Sequence, residues 1–126
     1  SKYSFTSDGN TTDAGDMTAA AQGWSATAVS STTHGYRHGY TPPASNVIEK
    51  FEFASDGNAT DVGDLTQTRY NTSGASSTTF GYAAGGQNPA PFLHDRIDKW
   101  PFASDTNAAT VGNLTTSKKF GAGAQV

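Results

Sequence analysis

"FASDGNATDVGDLT", residues 53–66, puts three aspartates, two glycines and an asparagine into a stretch with almost nothing to bury, and the chain writes the same phrase twice more. It stands earlier as "FTSDGNTTDAGDMT" (5–18) and later as "FASDTNAATVGNLT" (102–115). A lysine and an aromatic pair lead into each copy, as "KYSF", "KFEF" and "KWPF", so that Lys2, Lys50 and Lys99 recur 48 and 49 residues apart. A fixed period of this size marks a repeat architecture, in which each supersecondary unit buries its faces only against its neighbours. Between these phrases a second one recurs, "SSTTHGYRHGY" (30–40) and "SSTTFGYAAGG" (76–86). The chain reads as a single repeat domain, 1–126, with units at about 2–49 and 50–98 and a partial one at 99–126.

Within the first phrase Tyr3/Phe5, Phe51/Phe53 and Trp100/Phe102 sit at i and i+2, the period of a strand. Asp-Gly-Asn follows in two of the copies, which is the signal of a short hairpin turn with positive φ. The return strand carries Met17, Leu65 or Leu114 shortly after Gly15, Gly63 or Gly112, where a side chain would obstruct a neighbouring strand. No segment shows a helical period. Outer hairpins are expected at 2–18, 48–66 and 97–115, and inner hairpins at about 22–40 and 69–86. Two hairpins per period of about 48 residues make four-stranded antiparallel sheets, and such sheets in tandem are the blades of a β-propeller.

Composition fits a fold made of small residues. Leu, Ile, Val and Phe make up only 17 of 126 residues, while Ser, Thr and Gly make up 45. The net charge of −3, with 15% charged residues, is too low for the charge-driven disorder that few apolar residues would otherwise imply. With no cysteine there is neither a disulfide framework nor a thiolate metal site. Eight scattered Lys and Arg argue against nucleic acid as a partner, and no apolar run reaches membrane-spanning length.

The order of small-residue strand, "GYAAGG", variable loop, "IDKWPF", turn, "VGNLT" and then Lys118 or Arg69 resembles the kelch repeat. That likeness implies kelch-like propeller blades. It departs from the kelch pattern in having no tryptophan after the turn, and in Gly39-Tyr40 standing where the next repeat has Gly85-Gly86. The wording "SDGNATDVGDL" also resembles tandem repeats of uncharacterised marine bacteriophage proteins, virion structural and fibre-like ones among them.

Positions that differ between repeats are the candidate ligand-binding residues. His34, Tyr36, His38 and Tyr40 fall on one strand face by parity, with Arg37 opposite; the next repeat has Phe80 and Ala84 at the histidine positions. Trp24 lies in an extended connector, and Phe92 and His94 in the insertion "QNPAPFLHDR", places where aromatic side chains can stack on sugars or dock a partner. Asp56, Asn58, Asp61 and Asp64 offer hard oxygen ligands. Their spacing is not that of an EF-hand, and Thr110 and Asn113 replace two of them in the third copy, so turn-capping is the simpler role. By contrast, Phe5, Phe53 and Phe102 recur and are expected to be core.

These features point to a non-enzymatic structural or adhesive module with no catalytic residues, metal or cofactor, and to a carbohydrate-binding propeller as the alternative. A virion or extracellular surface is the expected location, with host glycans or other virion proteins as partners. Two blades with fragments at either end do not close a ring, so a homo-oligomer is expected, a trimer ahead of a dimer. Because the acidic turn loses two of its oxygen ligands in the third copy, EDTA should leave the melting temperature within about 10 °C of its untreated value; a larger fall would reveal a bound ion linked to folding.

Overall fold

The computed structural model describes residues 1–2, 6–19, 27–41, 43–119 and 121–123. Eight strands form two four-stranded antiparallel sheets, and the described residues include no helix. The first sheet has the order β1 (Thr27–Ser30), β2 (His34–His38), β3 (Val47–Glu52), β4 (Thr60–Asp64). The second repeats it with β5 (Ser73–Ser76), β6 (Phe80–Ala84), β7 (Arg96–Pro101) and β8 (Ala109–Asn113). Each expected inner or outer hairpin of these two units holds one of the strand pairs. Of the opening hairpin, Lys2 and Thr12 exchange two backbone hydrogen bonds of 2.8 Å.

The "SSTT" phrase makes the tight turn of each inner hairpin. Ser31 and Ser77 donate their N–H groups to the carbonyls of His34 and Phe80, and their hydroxyls accept the N–H groups of those same residues, at 3.0 and 3.1 Å. The next position along each returning strand is glycine because an aromatic ring lies across it. A Cβ on Gly81 would come within 2.5 Å of the Trp100 ring, and one on Gly35 would strike Phe51. These are cross-strand partners in register, Gly35 with Phe51 and Gly81 with Trp100.

The core lies between the two sheets. Val29, Tyr36, Ile48 and Leu65, in or next to the first sheet, meet Ala83, Trp100 and Ala108, in or next to the second, with Val62 and Phe102 packed at the edge. β1 lies against β5, where Gly74 leaves room for the side chains of Thr27 and Val29. Beyond β5 the chain comes back beside Ser73 and Gly74 at Gly121 and Gly123.

The thrice-written phrase couples one unit to the next. The N–H of Asp16 donates to Asn58 Oδ1 at 2.9 Å, and that of Asp64 donates to Asn107 Oδ1 at 3.0 Å. In return Ala59 and Ala108 donate their N–H groups to the carbonyls of Asp16 and Asp64, both at 2.8 Å. Gly63, at φ 149°, presses against Thr106, where a Cβ would stand 2.6 Å from the carbonyl oxygen, and Gly15 meets Gly57 in the same way. Lys2 reaches Asp56, and Lys50 reaches Asp105, each at 2.6 Å.

This arrangement corrects two expectations. The Asp-Gly turn is not a tight positive-φ hairpin. Seven residues separate β3 from β4, and Gly57 is not among the glycines of positive φ. The loop is held open because its asparagine and the following N–H engage the preceding unit. Phe53 is not core either, being 49% exposed. Its counterpart Phe102 stacks on Tyr36 of the first sheet, centroids 4.8 Å apart, whereas among the described residues the ring contact of Phe53 is with Phe51. Trp100→Ala should therefore cost about 3–5 kcal/mol and Phe53→Ala less than about 1 kcal/mol in urea denaturation. Equal losses would place Phe53 in the core.

Candidate functional site

β2 carries most of the residues singled out above, and strand alternation sends His34, Tyr36 and His38 toward the second sheet. Tyr36 is buried against Phe102, and His38, fully buried, meets the Trp100 ring edge-on at 5.1 Å. His34 stands at the rim, its Nδ1 2.8 Å from the Thr33 hydroxyl. Tyr40 does not share their face. Gly39 takes φ 62°, which breaks the alternation, and the Tyr40 ring lies under the Arg37 guanidinium at 4.3 Å. Among the described residues no hydrogen bond or ring contact joins His94 or Phe92 to this group. His94 Nε2 lies 3.3 Å from the carbonyl of Asn88, and Phe92, held at the loop tip by bonds to Pro89 and Asn88, is 66% exposed. Trp24 lies outside the described residues.

Next to His38 the interior holds an ion pair that the sequence reading did not single out. Arg69 Nη2 is 2.9 Å from Asp98 Oδ2, with both side chains fully buried. Arg69 also donates to the carbonyls of Ala83, Gly85 and Arg96 at 2.8–3.1 Å. Asp98 accepts the N–H and hydroxyl of Thr66 and the hydroxyl of Thr110. Thr66 closes the preceding unit's phrase, so this carboxylate clamps one unit to the next. Glu49 does the same in the first sheet, taking the hydroxyl of Thr18 and the Nε–H of Arg37. A signal was available in the recurrence of an acid immediately before each of Lys50 and Lys99.

Several of the acidic turn residues are engaged in structure. Asp13 and Asp61 cap the N–H groups of Gly15 and Gly63 at 3.1 Å, and Asp56 and Asn58 serve the couplings already described. Among the described residues no three His, Asp or Glu stand together as metal ligands would.

The open surface offers different chemistry. A cavity of about 310 Å3 runs beside β1 and β5, lined by Val29, Gly35, Phe51, Phe53, Gly74 and Ser76. A second, of about 280 Å3, is lined by Lys2, Glu52, Phe53 and Asp56 among others. Phe51 and Phe53 meet edge to face at 5.9 Å, so both cavities have aromatic walls with hydroxyl or charged rims. No protein-family model matches the chain, and no curated protein is similar to it.

Burial pushes the pKa of His38 down to about 3, with the nearby Arg69 charge adding to the effect and Asp98 opposing it. The folded chain thus keeps His38 neutral where the unfolded chain protonates it, near pH 6.5. Its contribution to stability is present at neutral pH and lost as the pH falls from about 6.5 toward 3, at no more than about 1.4 kcal/mol per pH unit. His38→Gln should flatten the drop in urea midpoint between about pH 7 and about pH 5. An unchanged drop would show that other groups set the acid sensitivity.

Proposed function

We propose that the chain is a non-enzymatic structural or adhesive module of kelch-like propeller blades, used as a rigid surface in a multi-copy assembly such as a phage particle. The observation that supports this most is that the interior titratable groups are spent on joining units. Glu49 and Asp98 each clamp a threonine of the preceding unit, and Arg37 and Arg69 neutralise them. Tyr36 and His38, the most reactive candidates on β2, are sealed against Phe102 and Trp100. A closed ring requires more sheets than the two that the described residues form, which favours a homo-oligomer, with three chains ahead of two.

A second reading, a carbohydrate-binding propeller, is favoured by exposed aromatics beside polar groups. Phe92 projects from its loop, and Phe53 walls two cavities whose rims carry Ser76, Glu52 and Asp56. Aromatic faces of this kind stack on sugar rings.

A glycan array and limited proteolysis separate the two. The structural reading expects no retained glycan, and cleavage confined to the loop around 88–94 while both sheets survive. Glycan binding that is lost in Phe92→Ala or Phe53→Ala would establish the lectin reading in its place.

A further inference from the structure

The coupling between units is made twice, and among the described residues both halves of a third such coupling are without a partner, one on the second sheet and one in the loop at 8–11. On the second sheet, Asn113 faces Arg96 in the same register as Asp64 faces Val47. At Asp64 that register turns N–H and C=O away from the sheet, toward Asn107 and Ala108. The corresponding groups of Asn113 therefore point outward, and Asn113 is exposed. A Cβ on Gly112 would meet nothing within 4 Å, whereas one on Gly63 or Gly15 would strike the next unit's loop. Val111 is 49% exposed, while its counterpart Val62 packs against the core. Lys99, counterpart of the paired Lys2 and Lys50, rests over the Phe80 ring at 4.5 Å.

At the other end is the loop that fits this edge. Asp8, Asn10 and Thr11 match Asp56, Asn58 and Ala59, and also Asp105, Asn107 and Ala108. All three are exposed, whereas Ala59 and Ala108 are buried beneath the edge of the preceding unit. Among the described residues, no ion pair engages Asp8 and no hydrogen bond engages the side chain of Asn10.

We propose that the edge formed by Lys99, Gly112 and Asn113 is a docking surface for residues 8–11 of a second copy of this chain. Asn10 Oδ1 of the second copy accepts the N–H of Asn113, and the Thr11 N–H donates to the Asn113 carbonyl. Lys99 swings from Phe80 to pair with Asp8, and Gly112 gives the incoming loop its close approach. Head-to-tail repetition of this contact is heterologous, so it builds a ring where the rotation closes and a filament where it does not. The inference rests on the reading of the chain as an assembling repeat module and supplies its contact surface.

Sedimentation velocity over a wide concentration series tests it. The wild-type chain should self-associate reversibly. Gly112→Ala should weaken that association at least about tenfold, a loss on the scale of one obstructed contact. Its melting temperature at high dilution should not change, because the added methyl meets open space in the single chain. Asn10→Ala, at the other face, should act likewise. Lys99→Asp and Asp8→Lys should each weaken association singly and restore it in an equimolar mixture of the two variants, where opposite charges meet again. Association that ignores all of these substitutions would overturn the docking surface and leave the assembling-module reading in place. A wild-type chain that stays monomeric throughout would overturn both.

Discussion

Asp64 has neither of its backbone hydrogen-bonding groups turned toward its own sheet; both are completed by the Asn-Ala pair of the following unit, which takes the same two groups at Asp16. That constraint organises the molecule. A sheet edge with unpaired groups is a liability unless something covers it, and here the cover is the next repetition of the same phrase. The energies divide by role. A pair of such hydrogen bonds is worth about 1 kcal/mol each, and the half-exposed Lys2–Asp56 pair at most about 1 kcal/mol. Removing a buried ring such as Trp100 costs several times as much. Burial between the sheets therefore supplies most of the stability, and the coupling sets the spacing and register at which that burial occurs.

Few large apolar residues suffice because the small ones let them come close. Gly81 gives Trp100 a flat floor on the neighbouring strand, and Gly35 does the same for Phe51. Gly74 lets β1 and β5 approach almost backbone to backbone. One indole, one phenol and a few aliphatic side chains then fill the space between two sheets, with His38 completing the packing at the edge of the indole. The neutral state of His38 follows from that position, since a proton there would lose its hydration beside the Arg69 charge.

How much of this the sequence discloses depends on whether the cause is local. The period of the lysines, the i, i+2 aromatics and the serine-capped turns are local, and from them both four-stranded sheets were legible. The purpose of Asp-Gly-Asn was not, because Asn58 bonds to a residue 42 positions earlier and nothing in its own loop shows it. Phe53 and Phe102 are equivalent in sequence and differ in burial, Phe102 being covered by Tyr36 of a sheet far from it in sequence. Tyr40 left its expected face through a single positive-φ glycine. Of the candidate site, the parity of His34, Tyr36 and His38 was legible. That Tyr36 and His38 point into a seam rather than to solvent depends on the second sheet, and parity does not report it.

The two buried acids show how the repeat tolerates change at its least tolerant point. Glu49 and Asp98 are equivalent positions and each clamps the preceding unit, yet their arginines come from different places. Arg37 stands directly across from Glu49 on the neighbouring strand, whereas Arg69 enters from the connector and is held by three carbonyls. By sequence match the second unit has Ala83 where the first has Arg37, and the stretch between Thr18 and Ser30, which matches the one that holds Arg69, has no arginine. A buried carboxylate without a cation costs several kcal/mol, so an arginine cannot leave one position unless another arrives. The side-chain lengths follow the geometry. The longer Glu49 meets its cross-strand arginine, and the shorter Asp98 leaves room for a guanidinium brought in from outside the sheet. What the repeat preserves is thus the neutralised clamp between units, and the residue that supplies its positive charge is free to move along the chain.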